Sequence, residues 1–287
     1  MTAPDWLQVE RGNAPLLVSF PHTGTELPDG LADRFVSPWL ARRDADWWVH
    51  ELYAFARALG ATTVRTSISR SVIDVNRDPS GASLYPGQNT TGLCPLTSFD
   101  NQPLYRPGEE PDAAEIARRR ERWFDPYHAA LATEIARLRT LYPVVVVYDA
   151  HSIRSQIPHL FEGVLPQFNI GTAGPDGQPD TACDNALTDV VENLCALSQL
   201  GHVRNGRFKG GWITRHYSDI PGGVHTLQME LACRGYMAEP AGIDASNWPT
   251  PLDPLLARPV RATLQQVLQA CIDFARHRQA TTFRSDA

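Results

Sequence analysis

Two apolar runs that each lead to a histidine constrain the fold of this chain more than any other feature. Four consecutive valines at 144–147 are followed closely by His151, and the mostly apolar residues 15–20 are followed by His22. Continuous apolar runs of this kind are typical of strands buried on both faces, as in a sheet covered by helices. Open α/β sheets place their ligand sites at the carboxyl ends of such strands. The two histidines therefore suggest two ligands for one metal ion.

Predicted helices and strands alternate along the chain, which is typical of an α/β fold. Strands are expected at residues 15–20, 62–68, 71–75, 144–148 and 224–232. Helices are expected at residues 44–59, 112–141, 181–197 and 259–277, with a kink at Pro126 and with Pro259 in the first turn of the last helix. We find no internal repeat or linker. We therefore expect one domain, residues 1–287, with a mixed, mostly parallel sheet flanked by helices.

Residues 78–111 are rich in Pro, Gly, Asn and Thr and have little helix or strand periodicity. A loop of that length inside a compact domain is usually functional or disordered. Its aromatic and apolar residues, which include Tyr85, Phe99 and Tyr105, favour an ordered loop that packs over another part of the protein. Such a loop could close over an active site and exclude water.

Composition narrows the possible partners and the compartment. The net charge is −6 and no Lys/Arg tract is present, so nucleic acid is not an expected partner. No apolar run approaches the roughly 20 residues of a membrane span, and the amino terminus lacks a signal-peptide pattern. We expect a cytoplasmic protein. The five cysteines are scattered and odd in number, which argues against a disulfide framework or a cysteine zinc site.

A third metal ligand is expected beside His22 and His151, because a catalytic zinc typically has three protein ligands and one open position for water. Asp44 could instead cap the helix predicted at 44–59, and Asp149 could orient His151 from behind. The candidate carboxylates are Glu26, Asp44, Asp46 and Asp149.

Glu230 is the candidate general base. Hydrolysis assisted by a metal needs a group that takes the proton of the attacking water. Glu230 ends an apolar strand, where burial would raise the pKa of its carboxyl. The alternative is a structural charge paired with an arginine.

Basic residues near the ends of predicted elements suggest a site for an anion. Residues 204–215 contain arginines and Lys209, the only lysine of the chain, and no acidic residue. Arginine grips carboxylates with two parallel hydrogen bonds, which favours a small anionic substrate. The alternative is a solvated basic loop. The candidates along the chain are Arg70, Arg77, Arg154, Arg207, Lys209 and Arg215.

Eight short motifs extend this picture, and together they span about residues 14–240. They are Pro21-His22-Thr23-Gly24, Asp44-Ala45-Asp46-Trp47, Ser69-Arg70, Asp74-Val75-Asn76-Arg77, Leu84-Tyr85-Pro86-Gly87-Gln88, Asp149-Ala150-His151-Ser152-Ile153-Arg154, Asn205-Gly206-Arg207-Phe208-Lys209-Gly210-Gly211 and Gln228-Met229-Glu230-Leu231. In that order, the set resembles the N-formylglutamate deformylase (N-formylglutamate amidohydrolase) family.

The resemblance implies a zinc-carboxypeptidase-like (phosphorylase/hydrolase-like) α/β fold. It also implies hydrolysis of N-formyl-L-glutamate to formate and L-glutamate, at the end of one route of histidine degradation. Its metal ligands would be His22, His151 and a carboxylate between them. Related amidohydrolases use an H-x-x-E pair, but Thr25 stands three residues after His22 and Glu26 comes one position late. We therefore favour Asp46, with zinc as the expected divalent ion.

The remaining roles are a hypothesis for how this reaction would proceed. Glu230 would be the base and later the acid, Arg77 or Arg154 would stabilise the oxyanion, and Asn76 would orient the substrate. The substrate carboxylates would be held by Arg70, Arg207, Lys209 and Arg215.

Two other functions stay open at this stage. One is a related N-acyl-amino-acid amidohydrolase, aspartoacylase-like or succinylglutamate-desuccinylase-like, with a different acyl group. The other is a non-catalytic metal-binding or anion-binding protein. No membrane partner is expected, and assembly into a homo-oligomer is left open.

Overall fold

A computed structural model describes residues 4–84, 87 and 90–285, and within them the chain builds one seven-stranded sheet. The strands are β1 (Leu7–Glu10), β2 (Leu16–Phe20), β3 (Thr62–Thr66), β4 (Val145–Ile153), β5 (Phe168–Gly171), β6 (His202–Arg204) and β7 (Val224–Ala232). Their order across the sheet is β1-β3-β2-β4-β7-β5-β6. Residues 1–3 and the motif residues Tyr85, Pro86 and Gln88 lie outside the described residues.

The adjacent strands β3, β2, β4 and β7 run parallel, so their carboxyl ends meet at one edge of the sheet. β1 and β5 pair antiparallel with β3 and β7, which makes the sheet mixed and mostly parallel, as predicted. Every residue of β4 and of β7 is buried. The α/β fold class is confirmed, as are strands at four of the five predicted places: 15–20, 62–68, 144–148 and 224–232.

Helices cover both faces of the sheet. They are α1 (Val49–Leu52), α2 (Ala113–Arg119), α3 (Asp125–Leu141), α4 (Asn185–Leu197), α5 (Trp212–Tyr217) and α6 (Pro254–Ser285). Successive side chains of a strand point to opposite faces. Val146 therefore belongs to the core under α6, with Leu264, whereas Val147 belongs to the core under α3, with Leu131.

The helix predicted at 44–59 is wrong. Only the four residues of α1 are α-helical, and a 3₁₀ turn at Ala54–Arg57 follows them. Trp48, directly before α1, has a φ of 63°, in the left-handed region that a right-handed helix cannot include. The backbone N–H of Asp46 donates to the carbonyl of His22 at 2.9 Å. This contact holds the segment beside the end of β2.

The strand predicted at 71–75 is also wrong, because this segment forms turns. The N–H of Val72 donates to the carbonyl of Ser69 at 2.9 Å, and that of Asp74 donates to Leu93 at 2.7 Å. The apolar side chains of the segment are nevertheless buried. Its β-rich composition therefore reflects burial rather than strand pairing.

The helices around Pro126 and Pro259 differ from the predicted ones. The disturbance expected at Pro126 is a π-helical turn at Arg120–Phe124, between α2 and α3. α6 begins before Pro259, which lies inside the helix rather than in its first turn. The reason is Asp253, whose Oδ1 accepts from the N–H groups of Leu255 and Leu256 at 2.8 and 3.2 Å and so caps an earlier start. In the described part of the chain, no helix has the length and apolarity needed to cross a membrane.

Candidate active site

A small cavity of about 70 Å³ opens at the carboxyl ends of the four parallel strands. Its wall includes His22 after β2, Arg70, Asn76 and Arg77 after β3, His151 in β4, and Gln228 and Glu230 in β7. The rest of the wall is contributed by Thr90, Thr91, Phe99, Ile153, Leu160, Arg207, Phe208 and Gly211.

His22, Asp46 and His151 form a buried cluster at this cavity. Each offers one ligand atom, and the three atoms lie within 4.8 Å of one another. Asp46 comes from the loop before α1, where its Oδ2 accepts from the backbone N–H of Ser152 at 3.2 Å. Together with the bond between the Asp46 N–H and the His22 carbonyl, this contact fixes the carboxylate between the two imidazoles.

A second carboxylate stands behind each imidazole. His22 Nε2 lies 2.6 Å from Asp74 Oδ1, and His151 Nε2 lies 2.8 Å from Asp149 Oδ2. The opposite nitrogens face Asp46: Nδ1 of His151 is 3.1 Å from Asp46 Oδ2, and Nδ1 of His22 is 3.8 Å from it. Metal-bound histidines almost always donate their other N–H to such a carboxylate or carbonyl. The structure therefore places Asp149 behind His151.

The charges of the site shift several pKa values. Burial and the nearby Arg70 guanidinium lower the pKa of His22 to about 4. Burial also disfavours protonated His151, but Asp149 and Asp46 outweigh that effect and raise its pKa well above the ordinary value. Burial raises the pKa of the Glu230 carboxyl to about 8. The four carboxyl groups of Asp46, Asp74, Asp149 and Glu230 are buried here, with Arg70 as the buried cation.

These residues fit a divalent cation. Nδ1 of His22 and Oδ1 of Asp46 are buried without a hydrogen-bond partner, which is costly unless another group binds them. Two imidazole nitrogens and one carboxylate oxygen are a ligand set that zinc accepts.

Arg70, Arg77 and Arg207 line the cavity. Arg70 Nη2 donates to Asp74 Oδ2 at 2.7 Å, and its guanidinium lies 4.8 Å from the centre of the Phe99 ring. Arg77 donates from Nε to the carbonyl of Thr91 at 3.0 Å. Arg207 also lines the cavity, and its Nε donates to the carbonyl of Leu160 at 3.1 Å.

Three predicted basic residues do not line the cavity. Arg154 donates to Asp100 Oδ2 at 2.7 Å and lines a separate cleft. Arg215 donates from Nε to the carbonyl of Gly210 at 3.1 Å. Lys209 directly precedes Gly210, and its backbone carbonyl accepts from the N–H of Ala173 at 2.7 Å.

The other candidate carboxylates have different positions. Asp44 does not cap a helix; its Oδ2 accepts from the N–H of Phe99 at 2.7 Å and so anchors a loop that reaches the cavity. Glu26 is exposed, and its backbone pairs with Ile68. Neither belongs to the cluster formed by Asp46 and the two histidines.

Sequence reasoning gave no role to Asp74 or Gln228. Both are buried beside groups that it did single out. Gln228 stands two residues before Glu230, and side chains two apart in a strand share a face. That spacing is a signal that could have placed Gln228 at the cavity. For Asp74 the only signal is its place in the Asp-x-Asn-Arg motif, because its contact with His22 spans 52 residues.

Comparison with known proteins shows the family of this chain and agrees with its fold. The sequence model of the family described as N-formylglutamate amidohydrolase matches residues 14–237. A protein of Pseudomonas putida named N-formylglutamate deformylase is 42% identical over 273 residues, which covers 95% of this chain and 97% of that protein. A protein of the same name from Pseudomonas aeruginosa is 42% identical over 96% of this chain and 98% of its own length.

Two solved structures share the fold. N-formylglutamate amidohydrolase from Ralstonia eutropha JMP134 superposes with a TM-score of 0.75 at 23% identity, covering 94% of this chain and 98% of that one. A gene product of Agrobacterium tumefaciens has a TM-score of 0.69 at 18% identity, covering 94% and 96%. The protein is thus an enzyme, a hydrolase of a carbon–nitrogen amide bond. Within that class, the chain belongs to the N-formylglutamate amidohydrolase family, as its motifs predicted.

Proposed function

We propose that this protein hydrolyses N-formyl-L-glutamate to formate and L-glutamate with the help of one divalent metal ion, zinc being the expected one. We further propose that the whole chain acts as one domain and that the reaction serves histidine degradation. The observation that carries the proposal is the cluster of His22, Asp46 and His151 in the same small cavity as Glu230 and the arginines. The names of the relatives that are 42% identical support the substrate.

His22, Asp46 and His151 would hold the metal. When bound, a divalent metal polarises a carbonyl oxygen and lowers the pKa of water. Asp74 and Asp149 support this role, because each accepts from the far nitrogen of one histidine and thereby directs the lone pair of Nδ1 towards Asp46.

Glu230 would move the proton. Its carboxyl lines the cavity, and β7 places its Cα directly opposite that of His151 in β4. A group whose pKa lies near the working pH is best suited both to accept and to donate a proton. With its pKa raised to about 8, Glu230 can take a proton from water and then give it to the leaving amine of glutamate.

Positive charge would bind and orient the anionic substrate. Arg77 is the better candidate for the charge that develops on the formyl oxygen, because Arg154 is committed to Asp100 outside the cavity. Arg70 and Arg207 lie in the wall where the substrate carboxylates would bind. Lys209 and Arg215 lie outside that wall, so the proposal gives them no contact with substrate.

Asn76 would orient His151 rather than the substrate. Its Nδ2 donates to Asp149 Oδ2 at 2.9 Å and lies 2.9 Å from His151 Nε2. Its Oδ1 accepts from the N–H of Ile213 at 2.8 Å. With both ends of the amide occupied, Asn76 holds the imidazole in place.

Formate release from N-formyl-L-glutamate tests the proposal directly. The purified protein is assayed untreated, after removal of metal with a chelator, and after return of zinc. The expected result is turnover that the chelator abolishes and zinc restores. N-acetyl-L-glutamate and N-formyl-L-aspartate are assayed in parallel. Faster release of acetate than of formate would overturn the assigned acyl group, and tight metal binding without turnover of any of the three would overturn catalysis.

A further inference from the structure

Gln228 is a buried side chain that touches the proposed base but belongs to neither the metal cluster nor the arginines. It lies on β7 two residues before Glu230, so both side chains point from the same face of the sheet into the cavity. Its Nε2 donates to Glu230 Oε2 at 3.1 Å. Gln228 is 4% exposed and Glu230 7% exposed, so little water is present to replace this bond.

The orientation of the Gln228 amide follows from its second contact. Gln228 Oε1 lies 2.7 Å from the backbone nitrogen of Gly211, a group that can only donate. The oxygen of the amide must therefore face Gly211, and the NH₂ group must face Glu230. The acceptor of this NH₂ group is one carboxylate oxygen of Glu230, which leaves the other oxygen, Oε1, for water.

The Gly211 contact anchors Gln228 to the metal cluster. A Cβ at Gly211 would lie 2.5 Å from Asn76 Nδ2, so the backbone there packs directly against the Asn76 amide. Two residues later, the N–H of Ile213 donates to Asn76 Oδ1 at 2.8 Å, and Asn76 in turn contacts His151. Gln228 thus holds Glu230 from a segment that is itself fixed to a proposed metal ligand.

We infer that Gln228 is a positioning residue for catalysis: it fixes the rotation of the Glu230 carboxylate so that one oxygen faces the attacking water. The terminal torsion of a glutamate is broad, so the carboxylate would turn without such a donor. Reactive groups must be held within a fraction of an ångström of their working geometry, and loss of a supporting contact typically costs about 10- to 100-fold in activity. This inference rests on the proposed role of Glu230 in formate release.

Two substitutions remove the donor to Glu230. Gln228→Leu leaves an apolar side chain that can neither donate to Glu230 nor accept from Gly211. Gln228→Met has a similar length and loses both contacts. Gln167→Met is the matched control, because Gln167 is 3% exposed, donates to the carbonyl of Ala232 at 2.8 Å and does not line the cavity.

The measurements are kcat and KM for formate release, with thermal melting and zinc content of each protein. We expect kcat to fall about 10- to 100-fold in both Gln228 variants, with KM within about twofold, full zinc content, and a control that behaves like the wild type. If both variants keep the wild-type kcat, or if kcat falls only in step with zinc content, Gln228 does not position the base and the inference is overturned.

A loss confined to KM in either variant would also overturn it. If one variant does not fold, the other decides, because each removes the donor to Glu230. A wild-type protein that releases no formate would instead refute the proposed function, so the two failures are distinguishable.

Discussion

Replacement of Asp74 by asparagine tests the support behind the metal cluster. Asp74 is fully buried and accepts three hydrogen bonds: His22 Nε2 at 2.6 Å, Arg70 Nη2 at 2.7 Å and the N–H of Asn76 at 2.9 Å. Burial disfavours its charge, but Arg77, His22 and Arg70 outweigh that effect and hold the pKa of its carboxyl well below the ordinary value. The ionised form therefore stabilises the folded protein.

The Asp74→Asn change removes that charge and turns an NH₂ group towards either His22 or Arg70. Weakening the support of a metal-binding histidine lowers metal affinity about 10- to 100-fold, which corresponds to about 1.4 to 2.8 kcal/mol. Breaking a buried ion pair costs about 3 to 5 kcal/mol. Arg70 keeps a weaker partner in Asp46 at 3.7 Å, so we expect the lower end of that range for unfolding of the metal-free protein.

Zinc affinity is measured by competition with a chelating dye, and unfolding by urea titration of chelator-treated protein. Asp78→Asn is the matched control, because Asp78 lies four residues away and its bond from the Ser80 N–H at 2.8 Å can be accepted by asparagine. Wild-type zinc affinity in Asp74→Asn would refute the claim that Asp74 supports His22 as a metal ligand.

Three further predictions concern different parts of the molecule. Glu230→Gln should keep its zinc and lose formate release by at least about 100-fold; turnover near the wild-type rate, with zinc content measured on the same sample, would place the base elsewhere. Leu131→Ala should lower the free energy of unfolding by about 2 to 5 kcal/mol, because Leu131 is fully buried between α3 and the sheet; a urea midpoint equal to that of the wild type would contradict this packing. Burial lowers the pKa of His128 to about 4 from 6.5. Since the unfolded chain then binds the proton more readily, stability should fall as the pH falls from 6.5 to about 4. His128→Gln should flatten that slope in urea titrations at several pH values, and an unchanged slope would count against it.

The strands that carry the site were predictable because strands buried on both faces consist of continuous apolar residues. The valines of β4 and the residues of β2 could lie only in a covered sheet, and that placement alone directed His22 and His151 towards one edge. The end of β4 was not predictable. The strand continues through Asp149 to Ile153 because partners from distant segments satisfy its buried polar groups.

The wrong predictions share one physical cause: contacts between distant segments outweighed the structure that the local sequence pattern favoured. The apolar spacing at 44–59 indicated a helix, yet Asp46 is bonded to the end of β2 and Trp48 adopts a left-handed backbone. Arg154 comes three residues after His151. Side chains at the end of a strand point in different directions, and the Arg154 guanidinium donates to Asp100 instead. Such pairings depend on how separate segments meet, and no spacing within one segment encodes them.

The zinc content of three single variants, measured by elemental analysis beside the wild type, tests the central claim most directly. The claim is that His22, Asp46 and His151 together hold one metal ion in the cavity that contains Glu230. It predicts about one zinc ion per wild-type chain and a large loss of zinc in His22→Ala, Asp46→Ala and His151→Ala. Full zinc retention in all three variants would contradict the claim.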